Sequence, residues 1–270
     1  MRFRGLMVSL ALALLLAAPA AGRLLDPGEL PDAAGDGSPD ITRLRVGSNA
    51  TAVTFIVDLA NQTTLSEGQG VFVFIDSDVN PETGGISGFE FVLALIADGA
   101  GLLSWNGTQF VATESQTAYG YHHNGFRLAV ARSELALTTG TLRFVVVTFP
   151  AETSDVAPDD AYADYTLSNE ALALQIARFT APTTIVAGKR YTATLQARRS
   201  DLAELSSAGV VACAAKVAAK KVKVTAAFPA DIATCSGVVP KTAKGKTLKV
   251  TVTLTLDGVR VTRTASIKVK

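Results

Sequence analysis

The C-terminal stretch 247-TLKVTVTLTLDGVRVTRTASIKVK-270 decides the fold class of this chain. In its first ten residues, apolar side chains alternate with threonine and lysine, which is the two-residue period of a β-strand with one buried face. Asp257-Gly258 then interrupts the pattern, and this dipeptide is typical of a two-residue hairpin turn. The stretch therefore predicts an antiparallel hairpin with one solvated face, and it favours an all-β chain.

Other candidate strands precede this hairpin and extend the β pattern over the last hundred or so residues. They lie at residues 185–187, 190–197, 210–213 and 221–226. The stretch 201–215 also contains enough alanine and leucine to suit a short helix. A domain of this size built from short strands fits a small immunoglobulin-like β-sandwich, which we expect over residues 171–270.

The first half of the chain also predicts strands. Residues 71–75 and 89–96 are apolar on both faces, as in the central strands of a packed sandwich. Turn dipeptides such as Asn106-Gly107 and Asn124-Gly125 separate the neighbouring candidates. Many short strands with closely spaced turns favour a jelly-roll-like β-sandwich over residues 40–170.

Charge divides the chain at the same place. Residues 23–175 contain 6 basic and 20 acidic residues, a formal net charge of −14, whereas residues 176–270 contain 17 basic and 4 acidic residues, a net charge of +13. One domain would rarely segregate charge so sharply, so we expect a boundary near residue 170. The basic domain could attract anionic polymers. Its lysines could instead serve solubility, or the two oppositely charged domains could dock.

The N-terminus predicts an export signal. Two arginines supply a positive start, residues 6–18 are almost wholly apolar, and small residues favour cleavage after Ala20. An uncleaved membrane anchor is the alternative, although the apolar run is short for a bilayer span. We expect a signal peptide over residues 1–20, no membrane span after its removal, and a secreted, extracellular or cell-surface protein. Residues 21–39 are rich in Pro, Gly, Asp and Ala and predict a flexible leader.

The two cysteines, Cys213 and Cys235, predict one disulfide because export places them in an oxidising compartment. Such a bridge closes a loop of about 23 residues and contributes roughly 3 kcal/mol in the chain-entropy model. Two buried thiols are the alternative. Zinc is not expected here, since it needs about four Cys or His ligands and the basic domain has no histidine.

An acidic loop, 75-IDSDVNPETGG-85, gives the sharpest functional signal. Its alternating Asp and Asn side chains let a turning backbone direct several oxygens to one point, and calcium takes roughly six to eight oxygen ligands. The loop departs from an EF-hand, which requires a glycine at its sixth position and flanking helices. A solvated acidic turn with internal hydrogen bonds is the alternative. We expect one calcium ion, bound by Asp76, Asp78, Asn80, Thr83 and Glu90.

The same region carries a resemblance to known domains. The runs 73-VFIDSDVNPETG-84, 88-GFEF-91 and 103-LSWNG-107 are similar to sandwich domains of exported bacterial proteins, of the kind seen in family 9 carbohydrate-binding modules and DOMON-type domains. The resemblance covers residues 40–168. It implies a jelly-roll sandwich, often with calcium and sometimes with a sugar ligand.

Two departures limit what this resemblance implies. Haem-binding DOMON domains use Met and His as axial ligands, but the only methionines are Met1 and Met7, within the predicted signal peptide. Sugar-binding members present exposed aromatic platforms. The candidates for such a platform are Trp105, Tyr119 and Tyr121, with ordinary packing as the alternative.

Motifs that carry catalysis are missing from the sequence. It contains no Gly-x-Ser-x-Gly elbow and no His-Glu-x-x-His pair, so we expect a non-enzyme. The interpretation that the residues favour is a calcium-stabilised binding module for carbohydrate or for an anionic envelope polymer. The alternatives are a purely structural extracellular protein and an unrecognised hydrolase. A nucleic-acid partner is not expected for an exported chain.

Overall fold

The computed structural model describes residues 29–60, 62–122, 125–150, 154–159, 162–202 and 209–270. The predicted signal peptide lies outside the described residues. Short 3-10 turns occur at Ile86–Gly88, Arg132–Glu134 and Lys241–Ala243. The strands are β1 Glu29–Pro31, β2 Ile41–Ser48, β3 Ala52–Leu59, β4 Gly70–Asp76, β5 Phe91–Ile96, β6 Gly99–Trp105, β7 Phe110–Ala112, β8 Ala118–His122, β9 Gly125–Ala131, β10 Thr141–Phe149, β11 Val156–Ala157, β12 Ala163–Thr166, β13 Leu174–Thr180, β14 Thr184–Ile185, β15 Arg190–Arg199, β16 Val210–Val217, β17 Lys220–Lys221, β18 Val224–Ala227, β19 Ala233–Val238, β20 Thr247–Leu256 and β21 Val259–Val269.

The described chain divides into two compact units. The first comprises residues up to Val46 together with Ala52–Leu167, and the second comprises Gly47–Thr51 together with Ser168–Lys270. The sequence placed the boundary at residue 170. Each unit consists of two β-sheets, so the prediction of an all-β chain built from sandwiches is confirmed.

In the first unit, one sheet has the strand order β1-β2-β3-β9-β8 and the other has the order β11-β10-β4-β5-β6-β7, with β12 also pairing with β10. Alternate residues of facing strands form a shared core. Phe55 is paired in register with Leu128 in one sheet, and Val73 with Val146 in the other. All four are fully buried in the core cluster. Each such side chain contributes about 1.5–3 kcal/mol, so this core holds the sandwich together.

The second of these sheets carries a smaller apolar layer on its outer face. Phe74, Val92 and Val145 lie there and are nearly fully buried, together with Phe89 from the loop before β5. This layer explains why β4 and β5 are apolar on both faces, as the sequence indicates. Its consequence is that the loop between these two strands is packed down onto the sheet.

Of the flexible leader expected over residues 21–39, the structure describes residues 29–39. Its described part begins with β1, in which Leu30 is paired with Leu44 of β2. Further along, Thr148 Oγ1 donates a hydrogen bond to the carbonyl of Pro39 at 2.8 Å. The second of these contacts joins residues 109 positions apart, and the composition of the segment alone does not reveal it.

The second unit has the strand order of an immunoglobulin domain. One sheet is β13-β15-β19-β18 and the other is β14-β21-β20-β16-β17. With the strands lettered in chain order, these are the A-B-E-D and A′-G-F-C-C′ sheets of that fold. The strand β14 pairs with β21 in parallel, whereas the hairpin β20–β21 is antiparallel across ten residue pairs. The hairpin predicted from the C-terminal stretch is confirmed.

Cys213 and Cys235 form the predicted disulfide, with their Cα atoms 5.6 Å apart. Cys213 lies on β16 and Cys235 on β19, so the bridge joins the two sheets through strands C and E. Immunoglobulin domains usually bridge strands B and F instead. Among the described residues, no helix is long and apolar enough to cross a bilayer.

Candidate functional site

The acidic loop connects β4 to β5. Asp76 is the last residue of β4, and Glu90 directly precedes β5. The Glu90 N–H donates to the carbonyl of Ile75 at 3.1 Å, which extends the pairing of the two strands by one step. Strand pairing therefore brings together two carboxylates that are 14 residues apart in the sequence.

Three carboxylates converge at this point. Asp76, Asp78 and Glu90 each place one carboxylate oxygen within 4.8 Å of the oxygens of the other two. Asp76 is fully buried, and its Oδ2 accepts no hydrogen bond from any described residue. Burial and the negative charges of Glu90 and Asp78 outweigh the backbone hydrogen bonds to this carboxylate and raise the pKa of Asp76 to about 6. The site thus holds a carboxylate that hydrogen bonds do not fully satisfy.

Backbone and hydroxyl donors orient the other oxygens. The Asn80 N–H donates to Asp76 Oδ1 at 3.2 Å and to Asp78 Oδ1 at 3.0 Å. The Ser77 N–H donates to Glu90 Oε2 at 2.8 Å. These donors hold the carboxylates in place without removing their negative charge, which is the arrangement that a cation site requires.

The other two predicted ligands, Asn80 and Thr83, also lie in the loop. Thr83 Oγ1 is 2.9 Å from Glu90 Oε1 and 3.0 Å from Asp78 Oδ1, so it lies among the carboxylates. Asn80 Oδ1 accepts the N–H of Glu82 at 3.1 Å and is engaged within its own turn. Thr83 therefore lies within the carboxylate group, whereas the Asn80 side-chain oxygen accepts a hydrogen bond from the backbone of its own loop.

A nearby cation is paired elsewhere. Arg143 is the cross-strand neighbour of Asp76 on β10. Its Nε donates to Asp164 Oδ1 at 2.7 Å, and its Nη2 lies 3.3 Å from Asp164 Oδ2. Arg143 therefore neutralises Asp164 directly and acts on Asp76 only through longer-range attraction.

Close packing fixes the loop on the sheet. Phe89 contacts Phe74 and Tyr162, with ring centroids 5.6 and 5.2 Å apart. Gly84 has a φ of +69°, and a Cβ at that position would lie 2.8 Å from Glu90 Oε1. Only glycine combines this backbone conformation with so close an approach to the carboxylate.

The aromatic residues predicted to bind a ligand do not share one surface. Trp105 ends β6 and is half-buried; its ring packs on Phe110 at 5.3 Å, and a Cβ at Gly85 would lie 2.7 Å from it. Tyr119 and Tyr121 lie on β8, an edge strand of the other sheet, and are 49% and 51% exposed. Trp105 therefore supports the acidic loop, and the two tyrosines form a separate exposed pair.

Sequence reasoning missed a second group of carboxylates in the first unit. Asp32, Asp155 and Asp159 meet there, as do Asp36, Asp40 and Asp155. Asp32 and Asp159 are 127 positions apart in the sequence, so no local motif brings them together. The available signal was the regular spacing of Asp32, Asp36 and Asp40 in the segment expected to be flexible.

Comparisons with known proteins add little to this description. The sequence matches no protein-family model, and no curated protein matches it. Titin domains Z1Z2 in complex with telethonin are 10% identical over 83% of this chain and 93% of that chain, with a TM-score of 0.28. Titin Ig tandem domains A164–A165 are 8% identical over 84% and 95% of the two chains, with a TM-score of 0.27.

The class of the protein therefore rests on its own strands and sheets. It is an all-β protein of two β-sandwiches in sequence, and the second sandwich has the immunoglobulin strand order.

Proposed function

We propose that this protein is a non-enzymatic, exported binding module whose first sandwich is stabilised by calcium. The buried carboxylate of Asp76 carries the proposal. Its Oδ2 accepts no hydrogen bond from the described residues, and the carboxylates of Asp78 and Glu90 lie beside it. An unpaired carboxylate in a buried position is costly, and a bound cation removes that cost.

The chemistry of the ligands favours calcium. Every candidate ligand is an oxygen, from the carboxylates of Asp76, Asp78 and Glu90 and the hydroxyl of Thr83. Hard cations prefer such donors, and calcium accepts the irregular geometry of a loop more readily than magnesium does. Asp78 and Glu90 are partly exposed, which leaves an entry path for the ion.

Thermal unfolding of the full chain with calcium and with a chelator tests this site. Calcium that binds only the folded form should stabilise it by about 2.7 kcal/mol at a hundredfold excess over the Kd. Asp76→Asn should abolish the increment. Glu82→Gln is the matched control, because Glu82 is an exposed carboxylate of the same loop that lies outside the group. Equal midpoints with calcium and with chelator in the unsubstituted protein would refute the proposal.

Export fits both the disulfide and the calcium. A disulfide between Cys213 and Cys235 persists in an oxidising compartment, and calcium sites of extracellular modules work at roughly 10⁻⁴–10⁻³ M. Mass measurement of the protein recovered outside the cytoplasm should give a chain that begins at Ala21. A chain retained in the cytoplasm with both thiols reduced is the opposing result.

For the ligand of the module, we propose a carbohydrate bound on the exposed tyrosine pair. Tyr119 and Tyr121 point to one side of the edge strand β8, where Tyr121 also packs on Phe126 at 5.4 Å, and the half-exposed rings offer apolar surface on which a sugar ring can stack. The resemblance of residues 40–168 to family 9 carbohydrate-binding modules supports the same class of ligand. Trp105 supports the acidic loop, since its ring packs against Gly85.

A glycan array with calcium and with chelator tests the carbohydrate ligand. Replacing Tyr119 and Tyr121 together by Ala should abolish binding, whereas replacing both by Phe should preserve it because the rings remain. If no glycan binds in either condition, the carbohydrate ligand is refuted.

A second candidate ligand, an anionic envelope polymer, is favoured by the lysines of the second unit. Lys216 of β16 is paired in register with Lys221 of β17 on one side and with Lys249 of β20 on the other. All three side chains are exposed, so they form a row of positive charge across three strands. Such a row attracts a polyanion through long-range electrostatics.

A further inference from the structure

A second carboxylate group lies where the segment after β1 meets the two ends of the short strand β11. Asp32, Asp155 and Asp159 each place one carboxylate oxygen within 4.8 Å of the oxygens of the other two. Asp36 and Asp40 form a similar group that shares Asp155. Asp155 thus belongs to two neighbouring groups of three aspartates in the first unit, and none of these aspartates belongs to the acidic loop between β4 and β5.

Asp155 is the fixed centre of this group. It is 3% exposed, its Oδ2 accepts the N–H of Ile41, and its Oδ1 accepts the N–H of Val156 at 2.7 Å. Gly37 packs so closely that a Cβ there would lie 2.2 Å from the Cβ of Asp155. The segment before β2 is therefore built around this carboxylate.

Asp32 points into the same group without a partner. Both of its carboxylate oxygens are fully buried, and neither accepts a hydrogen bond from any residue that the structure describes. Burial, together with the negative charges of its acidic neighbours, first among them Asp155 and Asp159, raises the pKa of Asp32 to about 7. Neither a hydrogen bond nor a partner charge among the described residues accounts for this carboxylate's position.

We propose that Asp32, Asp155 and Asp159 bind a second calcium ion, which fastens the segment 32–40 to the first sandwich. The ion supplies the positive charge that the buried oxygens of Asp32 lack. It also joins the N-terminal segment to a loop more than 120 positions further along the chain. The proposal stands independently of the site at Asp76, because the two groups share no residue.

The candidate ligand atoms indicate the class of cation. They are carboxylate oxygens alone, with neither sulfur nor imidazole nitrogen, so they suit a hard cation. Asp159 is exposed, which leaves a route for the ion and places for water ligands. Magnesium demands near-octahedral geometry and holds its waters tightly, so calcium fits a cluster assembled from two irregular segments better.

Counting bound ions in the full chain tests the proposal, with calcium alone as the probe. Native mass spectrometry and calorimetric titration should give two calcium ions for the unsubstituted protein. They should give one for Asp32→Asn/Asp159→Asn and one for Asp76→Asn. Asp98→Asn, an exposed aspartate in the turn after β5, is the matched control and should retain two.

Hydrogen exchange locates the ion. Calcium should slow exchange of the Ile41 amide and of residues 32–40 at least tenfold in the unsubstituted protein and in Asp76→Asn, and should leave it unchanged in Asp32→Asn/Asp159→Asn. The double variant should also melt no lower than the unsubstituted protein in chelator, because it removes unpaired buried charge. A double variant that binds one ion fewer but melts no lower has lost an ion and kept its fold.

The outcomes distinguish the two sites. If the unsubstituted protein binds one ion that Asp32→Asn/Asp159→Asn loses and Asp76→Asn keeps, the second site stands and the first fails. If Asp32→Asn/Asp159→Asn binds as many ions as the unsubstituted protein, or calcium leaves exchange at residues 32–41 unchanged, the second site is overturned.

Discussion

Thr83 and Glu90 are joined by a hydrogen bond of 2.9 Å between Oγ1 and Oε1, and the same hydroxyl lies 3.0 Å from Asp78 Oδ1. A hydroxyl has one proton and can donate it to only one of these carboxylates at a time. Thr83 thus bridges the two carboxylates, but at any moment one of them receives no hydrogen bond from the hydroxyl. A cation can satisfy both.

Thr83→Val should therefore weaken calcium binding about 10- to 100-fold, the range seen when a group that orients metal ligands is removed. The variant keeps the shape of the side chain and loses only the hydroxyl. Isothermal titration with calcium measures the change. Thr83→Ser is the control and should bind nearly as tightly as the unsubstituted protein. Equal affinities for the Val and Ser variants would show that the hydroxyl has no part in the site.

A buried ion pair gives the second unit an acid-sensitive stability. Arg199 donates from Nε and Nη2 to the two oxygens of Asp201, at 2.9 and 2.7 Å, and both side chains are almost wholly buried. Burial by itself would raise the pKa of Asp201, but the hydrogen bonds and charge of Arg199 outweigh it and lower the pKa below its usual range. The carboxylate is thus favoured in its charged form in the folded protein.

Asp201→Asn should cost about 3 kcal/mol of unfolding free energy at pH 7, since Arg199 is left as a poorly compensated buried charge. Because the folded-state pKa is depressed, the contribution of Asp201 is complete above its unfolded pKa of about 3.9 and is lost as the pH falls below that value. Urea unfolding at pH 7 and pH 3 should show the difference between the two proteins shrinking in acid. A gap that stays constant with pH would contradict this assignment.

Asp257→Asn is the control for that pair. Asp257 accepts from Arg199 Nη1 at 3.0 Å, but its side chain is 48% exposed. Solvent screens such a contact, so its removal should cost no more than about 1 kcal/mol.

Reduction of the disulfide should destabilise the second unit. The bridge joins residues 22 positions apart, and the chain-entropy model assigns such a loop roughly 3 kcal/mol. Replacing both Cys213 and Cys235 by Ser should lower the unfolding free energy by about that amount, as measured by urea unfolding under oxidising conditions. A reducing agent should bring the unsubstituted protein to the same level and should leave the double variant unaffected.

The row of Lys216, Lys221 and Lys249 should bind an anionic polymer in a salt-dependent manner. Replacing all three by Gln should reduce retention of the full chain on purified anionic wall polymer at low salt. Retention of the unsubstituted protein should fall steeply near 0.15 M salt, where screening acts within roughly 8 Å. The charge-matched control replaces the exposed Arg178, Arg190 and Arg198, which lie on the other sheet. Equal losses in the two triple variants would assign retention to net charge and not to this row.

Local patterns predicted those parts of the molecule that local chemistry determines. The alternating pattern of residues 247–256 predicted the strand β20, and Asp257-Gly258 forms the predicted turn between β20 and β21. The acidic loop was recognisable because Asp76 and Asp78 are close in the sequence. Glu90 could be added because a strand follows the loop and antiparallel pairing returns it to the end of β4.

Features that depend on distant contacts could not be predicted in the same way. Asp32 lies in a segment whose composition is typical of a linker, and only its approach to Asp155 gives it a buried carboxylate. Arg199 and Asp201 are close in the sequence, but the contacts that enclose the pair come from Asp257 and Asn49, which are 58 positions from Arg199 and 152 positions from Asp201. The sequence also grouped Trp105 with Tyr119 and Tyr121, but β6 and β8 belong to different sheets. The sheet to which a strand belongs depends on the whole fold.

The position of the disulfide has a mechanical consequence. Cys213 and Cys235 lie on strands C and E, whereas the strand that ends the chain, β21, is outside the bridged loop. When tension is applied through the two ends of this unit, β21 and β13 can peel away, but the 22 residue steps between the cysteines cannot lengthen. At about 3.4 Å per residue, the bridge withholds roughly 75 Å of extension. The bridge therefore sets an upper limit on how far the second sandwich can extend under tension, for as long as the sulfur–sulfur bond is intact.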